Sequence, residues 1–368
     1  MKRNSIVFWV LILMAVTVGS VFGQQTKPDE VIKVDTQLID VPLVVMDRSG
    51  KPILNLKQSN FIVYEDGKRQ DVTAFAATSA PFEVALLLDT SGSTRADLQL
   101  IQRAAQNFID SLRPGDRVSV IAYRSDAKNG QSSAISEVLS GLTDNRTSLK
   151  TAVERVSTSN GTPYYDSLLQ IAEKVFRDPS RDEFRGRRAL VALTDGVDST
   201  SAADFDEARE SLLKAGIISF FIQVDTRPFF EENLLGDCES AIRFSQAQIR
   251  RYYAQISQSS KLEKTSSFCQ LGDFERLAIS KQLYELADSE MDSLARSSGG
   301  KVFPVSDLSG ARVAFKSVAD EIGTKYSLGY YSSNDRRDGT YRRIKVELKG
   351  LPPGSQVRAR EGYSAPAN

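Results

Sequence analysis

Five oxygen-bearing side chains in three separate segments of the sequence could bind a cation. Each is a carboxylate or a hydroxyl, and each segment lies directly after a predicted strand or before a predicted helix. The five are Asp89, Ser91, Ser93, Thr162 and Asp195. Mg²⁺ and Ca²⁺ are hard cations that prefer oxygen ligands. Two carboxylates would balance a divalent charge, and three neutral hydroxyls would leave the ion electrophilic, with one coordination position open.

The open coordination position indicates what such a site would bind. An acidic side chain of a partner protein could occupy it through a charge-assisted contact in a partly desolvated setting. Three glycines lie next to the candidate ligands and would let the loops turn tightly near the ion: Gly92, Gly161 and Gly196.

Each segment alone also has an ordinary structural explanation. Asp89 or Ser91 could cap the helix that follows. Thr162 could be an N-cap before Pro163 at a first helical position, and Asp195 could belong to a simple turn. The three segments in this order, each at a strand end or a helix start, together predict metal binding.

The elements that would position these residues alternate between strands and helices. A wholly apolar run at 84–88 ends directly before Asp89 and predicts a strand buried on both faces. Strands are also predicted at 118–123, 189–193 and 217–224, with amphipathic helices between them. This alternation predicts a doubly wound α/β domain with a mainly parallel sheet, whose ligands bind outside the carboxyl ends of the strands.

Short strands flank this domain at both ends of the chain. Residues 24–80 predict a small N-terminal β-unit, in which Asp66-Gly67 is the turn of a hairpin between 61–64 and 72–75. A C-terminal β-tail is predicted at 324–368. We expect it to pack beside the N-terminal unit, so that the two ends enclose the α/β domain at 81–323. Within that domain, the stretch at 226–285 is too long for one connection and predicts an insertion.

Residues 1–23 have the pattern of a signal peptide. Lys2 and Arg3 precede an apolar run of 13 residues at 6–18, and Val21 and Gly23 suit the cleavage site. The run is short for a bilayer span, although an uncleaved membrane anchor is the alternative. The sequence therefore predicts an exported protein, periplasmic or secreted, without an extended membrane domain.

The two cysteines, Cys238 and Cys269, both follow the predicted signal peptide. An oxidising compartment would join them in a disulfide, and two free buried thiols are the alternative. Closing that loop would stabilise the fold by roughly 3–4 kcal/mol in the chain-entropy description.

Composition excludes several classes of function. The 368 residues contain 47 Lys and Arg, 47 Asp and Glu, and no histidine. Catalytic triads and metal sites that use histidine are therefore excluded. Balanced charge does not favour a nucleic-acid partner.

The metal-site pattern resembles the metal-ion-dependent adhesion site of von Willebrand factor type A (VWA) domains. It comprises Asp89-x-Ser91-x-Ser93, Thr162 and Asp195, and residues from about 82 to 323 resemble the domain itself. The wider chain is similar to bacterial secreted VWFA-related proteins, through three motifs: Phe61-x-Val63-Tyr64-Glu65-Asp66-Gly67, Tyr326-x-Leu328-Gly329-Tyr330 and Arg360-x-Gly362-Tyr363.

The resemblance implies a Rossmann-like fold and a role in adhesion or assembly. It also implies that the five residues bind the ion directly or through water, with Mg²⁺ as the expected ion and Ca²⁺ or Mn²⁺ as alternatives. The insertion at 226–285 departs from the family pattern, and it puts in question how open the binding face is.

Three hypotheses of function follow. The first is a noncatalytic module that binds a protein partner presenting Asp or Glu to the metal. The second is a metal-assisted hydrolase, which needs a general base such as Asp126, Asp166 or Asp198. The third is a structural particle whose metal only stabilises loops.

Overall fold

The computed structural model describes residues 38–91, 97–128, 131–256 and 267–367. The predicted signal peptide at 1–23 lies outside the described residues, as do Gly92 and the candidate ligand Ser93. No helix in the described part of the chain has the length and apolar content that crossing a bilayer requires.

The described residues form fourteen strands and eight α-helices. The strands are Leu38–Met46 (β1), Phe61–Glu65 (β2), Lys68–Gln70 (β3), Val72–Ala76 (β4), Glu83–Leu88 (β5), Arg117–Lys128 (β6), Gln131–Thr143 (β7), Arg188–Thr194 (β8), Ile218–Val224 (β9), Lys301–Val305 (β10), Tyr326–Tyr331 (β11), Tyr341–Leu348 (β12), Gln356–Ala359 (β13) and Gly362–Ser364 (β14). The helices are Leu98–Ser111 (α1), Arg146–Glu154 (α2), Tyr164–Gln170 (α3), Phe205–Lys214 (α4), Arg227–Glu232 (α5), Gln246–Ile256 (α6), Asp273–Ser298 (α7) and Ala311–Gly323 (α8).

The central sheet has six strands in the order β10-β9-β8-β5-β6-β7. Its strands are parallel except β7, which runs antiparallel to β6. Every residue of β5 and β8 is buried, as expected for strands covered on both faces. One apolar core joins the sheet to α1, α2 and α8, and a second joins its other face to α3, α4 and α7. The predicted doubly wound α/β domain is confirmed.

Strand order reverses around β5, because its chain neighbour β6 lies on one side and β8 on the other. Such a reversal opens a crevice at the carboxyl ends of the two diverging strands. The loops after β5 and β8 carry Asp89 and Asp195, so the topology alone brings these two segments to one crevice.

The chain ends build two further antiparallel sheets, in the orders β13-β1-β11-β4 and β14-β12-β2-β3. Each sheet combines strands from both ends: β1 pairs with β11 and β13, and β2 pairs with β12. Their apolar faces share one core, to which β1 contributes Val41, β2 contributes Val63 and β11 contributes Tyr326. The C-terminal tail therefore packs with the N-terminal unit, as the sequence predicts.

The hairpin at Asp66-Gly67 differs from the prediction in its second strand. Both turn residues have positive φ, 47° and 82°, which is the backbone of a tight two-residue turn. The turn joins β2 to the short strand β3, whereas β4, at the predicted 72–75 position, pairs with β11 in the other sheet. The prediction failed because β3 is a polar edge strand that lacks an apolar pattern.

The sequence also gives no sign of β7. This long strand lies at one edge of the central sheet and mixes serine and other polar residues with apolar ones, and its side chains at 133–143 are half-buried or exposed. An edge strand has only one hydrogen-bonded neighbour and needs little apolar surface, so the alternation that marks a half-buried strand is weak here.

The described residues of the insertion at 226–285 form a lobe with its own apolar core, hereafter the insertion lobe. Its described residues include α5, α6 and the beginning of α7, and a disulfide joins Cys238 to Cys269 across it. The predicted helix near 249–256 is α6. The predicted limit at 285 is wrong as a structural break, because α7 runs without interruption from Asp273 to Ser298 and continues into the core of the α/β domain.

Candidate metal centre

Parallel pairing places Asp89 and Asp195 on neighbouring strand ends. Leu88 of β5 is in register with Leu193 of β8, and the Asp89 amide continues the ladder by donating to the Leu193 carbonyl at 2.9 Å. The Thr194 hydroxyl donates to Asp89 Oδ2 at 2.7 Å, and both residues are buried. The Asp89 carboxylate therefore lies beside the backbone that leads directly into Asp195.

The loop after β5 turns back over Asp89. The Ser91 amide donates to Asp89 Oδ1 at 3.0 Å, and the Ser91 side chain also hydrogen-bonds to that carboxylate. Thr90 lies between Asp89 and Ser91 in the sequence. Its hydroxyl donates to the Tyr123 carbonyl on β6, and its carbonyl accepts from the Ser159 amide at 2.8 Å. These bonds fix the described start of the loop after β5, at 89–91, against the loop that carries Thr162.

The Thr162 loop is in turn bound to the loop after Asp195. The Thr162 amide donates to the Ser199 hydroxyl at 2.8 Å, and the Thr162 carbonyl accepts from the Ser199 amide at 3.0 Å. Three loops from distant parts of the chain thus hold one another in place through backbone and hydroxyl hydrogen bonds.

The simple capping explanations do not fit this geometry. Helix α1 begins at Leu98 with Asp97 at its N-cap, so neither Asp89 nor Ser91 caps it. At the start of α3, the Tyr164 amide donates to Asp198 Oδ1 at 2.9 Å, so Asp198 is the capping side chain there. The turn explanation for Asp195 holds in part, because Asp195 Oδ1 accepts from the Val197 amide at 2.9 Å.

Among the described residues of these loops, Gly196 is the position where the backbone demands glycine. Its φ of +75° is left-handed, and an added Cβ would lie 2.8 Å from Cε of Met291 on α7. A side chain at this position would push Asp195 away from the strand end, so the glycine keeps the carboxylate in the crevice.

A cavity of about 440 Å³ opens at this strand edge. Ser91, Thr162 and Asp195 line one part of it together with neighbouring residues of the Thr162 and Asp195 loops, and residues of the insertion lobe line the remainder. Asp89 is only 2% exposed and lies behind Ser91 through their hydrogen bonds. The structure therefore brings four of the five predicted ligands to one place, and the fifth, Ser93, lies outside the described residues.

Two buried carboxylates at one site repel each other. Burial and, after it, the charge of Asp89 raise the pKa of Asp195 to about 7. Burial also raises the pKa of Asp89. A bound divalent cation would favour the ionised form of both groups and offset their repulsion.

The donor set fits a hard cation. Nowhere in the described chain do three carboxylate, thiolate or imidazole side chains converge, so an ion here would be bound by a mixed set of carboxylate and hydroxyl oxygens. Such a set suits Mg²⁺, which readily retains water as a ligand, and does not suit soft metals that favour sulfur.

Two residues that the sequence does not predict support Asp195. The Thr226 hydroxyl donates to Asp195 Oδ2, and the Tyr284 hydroxyl lies 2.9 Å from the Thr226 hydroxyl. Thr226 follows the strand β9 at the same sheet edge, so an inspection of the polar residues just after each predicted strand could have identified it. Tyr284 lies in the insertion lobe, and the sequence offers no signal for it.

The three aspartates considered as general bases all have structural partners. Asp198 accepts from the Tyr164 amide and the Arg251 guanidinium. Asp166 accepts from the amides of residues 202 and 203, and Asp126 accepts from Arg124 at 3.2 Å.

Comparison with known proteins is consistent with this site. The family model described as von Willebrand factor type A domain matches residues 84–197. That range contains β5, β8 and all five predicted ligands. A comparison with curated proteins finds no match.

Several solved structures are similar to this chain at low sequence identity. Proximal thread matrix protein 1 from the mussel byssus is 15% identical, with a TM-score of 0.42, over 82% of this chain and 51% of that chain. The same protein with a zinc-occupied MIDAS (metal-ion-dependent adhesion site) motif is 16% identical, with a TM-score of 0.41, over 70% of this chain and 49% of that chain. Von Willebrand factor type A from Catenulispora acidiphila is 13% identical, with a TM-score of 0.40, over 91% of this chain and 75% of that chain.

This chain spans about half the length of the mussel protein. The matched range includes the ends of β5 and β8 and the candidate ligands, whereas the insertion lobe lies outside it. This chain carries a von Willebrand factor type A domain, in which residues 84–197 match the family.

Proposed function

We propose that this protein is an exported, noncatalytic binding module. Its VWA domain binds a divalent cation through Asp89, Ser91, Ser93, Thr162 and Asp195, and Mg²⁺ is the expected ion. The cation in turn accepts an acidic side chain of a partner protein. The observation that carries the proposal is the single crevice lined by Ser91, Thr162 and Asp195, with Asp89 hydrogen-bonded directly behind it.

The charge of the site supports a protein ligand over a purely structural ion. Only two of the five side chains carry charge, so a divalent cation would be neutralised by the protein and still have room for one more anionic oxygen. The cavity extends outward from the candidate ligands, which gives a partner side chain a route to the ion.

Catalysis has less support. A hydrolase would need a free general base beside the cation, and the three aspartates considered for that role are held by backbone amides or arginines. Export is proposed because the disulfide between Cys238 and Cys269 suits an oxidising compartment.

A cation titration tests the metal site. Isothermal titration of the purified protein with MgCl₂, MnCl₂ and CaCl₂ should show saturable binding. Thermal denaturation should show that the bound cation raises the melting temperature. Asp89→Asn keeps the shape of the side chain, and it should weaken Mg²⁺ binding by at least about tenfold because a charged ligand is lost. The control is Asp320→Asn, which removes an exposed carboxylate on α8. Wild-type Mg²⁺ affinity in Asp89→Asn would overturn the proposal.

A pull-down tests the partner. Exported proteins retained by the wild type in MgCl₂ should be released by chelator and should not be retained by Asp89→Asn. A set of bound proteins that is the same with MgCl₂, with chelator and with the variant would contradict cation-dependent binding.

A further inference from the structure

The cavity at the metal centre has a second, apolar part that the metal site does not use. The insertion lobe contributes most of its wall, including Phe230, Ile242, Phe244 and Leu283. The volume of about 440 Å³ falls within the range of small-ligand pockets, and it exceeds what one carboxylate at a cation would fill. The remaining space is lined mainly by these apolar side chains, together with the polar Arg243, Gln248 and Ser280.

The insertion lobe holds this wall rigidly. The Arg276 guanidinium is buried and donates to the carbonyls of Leu271, Leu234 and Gly236. It also lies over the Phe268 ring, 4.4 Å from the ring centroid. Together with the disulfide, these contacts tie the loops of the lobe to α7, so the wall is formed before a partner arrives.

The wall is also connected to the candidate metal ligands. Tyr284 lines the cavity on α7, and its hydroxyl reaches Asp195 through Thr226. One helix therefore contributes to the apolar wall and supports a carboxylate ligand, which keeps the two parts of the cavity at a fixed separation.

Ser280 gives an independent indication of a ligand. It lines the cavity, it is 0% exposed, and its hydroxyl has no hydrogen-bond partner among the described residues. A buried hydroxyl without a partner costs free energy. A backbone amide or carbonyl of a bound segment would supply the missing partner.

We propose that the insertion lobe forms a specificity subsite beside the cation, and that the partner segment carries a large apolar side chain next to its acidic residue. This inference rests on the proposed function and adds the chemistry of the recognised segment. The acidic group would reach the cation, the apolar side chain would lie against Ile242 and Leu283, and the backbone between them would pass Ser280. Charge complementarity selects the acid, and the lobe selects its neighbour.

Capped pentapeptides test the subsite. The probes are an Asp peptide flanked only by glycines, two peptides with leucine before or after the Asp, and the Asn counterpart of each, titrated into the wild type in MgCl₂ and in chelator. One leucine peptide should bind about tenfold more tightly than the glycine peptide, because a buried leucine side chain adds that much affinity. The Asn peptides should not bind, and chelator should abolish binding of the Asp peptides.

A matched pair of variants assigns the effect to the cavity. Ile242→Ser removes apolar surface from the cavity wall and should abolish the preference for leucine without changing Mg²⁺ affinity. Leu235→Ser, on an exposed leucine of the same lobe that does not line the cavity, should leave the preference unchanged.

The outcomes separate the two proposals. Equal affinity for the leucine and glycine peptides, with Mg²⁺ and Asp still required, overturns the subsite and leaves the metal-dependent function intact. Failure of the protein to bind Mg²⁺, or of every Asp peptide to bind the Mg²⁺-loaded protein, overturns the proposed function and the subsite with it. An unchanged leucine preference in Ile242→Ser overturns the placement of the subsite.

Discussion

At the scale of single residues, the orientation of Asp195 depends on a side chain outside the recognised motif. One carboxylate oxygen accepts from the Val197 amide and the other from the Thr226 hydroxyl, which contacts Tyr284. A carboxylate held at both oxygens cannot rotate freely. Thr226 is therefore a positioning residue for the proposed metal ligand.

Thr226→Val tests this role with little change in volume. The valine cannot donate to Asp195, so the Mg²⁺ affinity should fall by about tenfold to a hundredfold, the usual effect of losing such a supporting hydrogen bond. Isothermal titration measures it, and Thr226→Ser, which keeps the hydroxyl, should restore most of the affinity. Equal affinities of the valine and serine variants would show that the hydrogen bond does not matter.

At the scale of elements, Arg251 links helix α6 of the insertion lobe to the α/β domain. Arg251 donates to Asp198 at 3.1 Å and lies over the Tyr165 ring, 5.0 Å from its centroid. The Tyr165 hydroxyl donates to Glu290 on α7 at 2.7 Å. Because Asp198 also caps α3, this cluster links the lobe to the loop that carries Thr162.

Arg251→Met should destabilise the protein strongly. The Asp198 side chain is completely buried, and removing its cationic partner leaves a buried charge, which costs about 3 kcal/mol or more. Urea denaturation measures the free energy of unfolding. Arg250→Met changes an exposed arginine on the same helix and should alter that free energy by less than about 0.5 kcal/mol. Similar losses in both variants would contradict the role of the ion pair.

At the scale of the whole molecule, the two ends of the chain are joined by buried polar groups as well as by strand pairing. Glu65 on β2 accepts from the Tyr330 hydroxyl at 2.7 Å and the Tyr363 hydroxyl at 2.9 Å. Arg360 donates to the backbone carbonyls of Asp40 on β1 and Leu213 on α4. The antiparallel sheets are thereby fixed to each other and to the α/β domain.

Asp40 makes this junction sensitive to pH. Burial raises the pKa of Asp40 to about 6, although Arg185 and Arg360 oppose the shift. Between about pH 4 and pH 6 the folded protein retains a proton on this group that the unfolded chain releases. The free energy of unfolding therefore falls as pH rises through this window, by about 2 kcal/mol from this residue.

Asp40→Asn should remove that contribution. The amide does not ionise, so the variant should be more stable than the wild type at pH 7, and the difference should shrink toward pH 4. Urea denaturation at several pH values from 4 to 8 measures it. A stability difference that does not change with pH would show that Asp40 does not titrate in this window.

Much of the fold is predictable because its signals are local. The buried runs at β5 and β8 and the helical spacing in α1 depend on burial that reaches both faces of a strand or one face of a helix. Edge elements lack these signals, which is why β7 and β3 are not predicted. The start of α7 at Asp273 is hidden for another reason: the helix packs in the insertion lobe first and in the α/β core afterwards, so no single apolar stripe runs along it.

The sequence by itself determined the strand-helix alternation, the candidate ligand segments and the cysteine pair, because each depends on residue type and on spacing along the chain. Only the tertiary structure decided that Thr226 and Tyr284 support Asp195, and that the insertion lobe lines the cavity at the candidate metal ligands. Those contacts join residues up to 58 positions apart through side-chain hydrogen bonds. Their partners are set by how helices and loops pack in space, which no local pattern in the chain records.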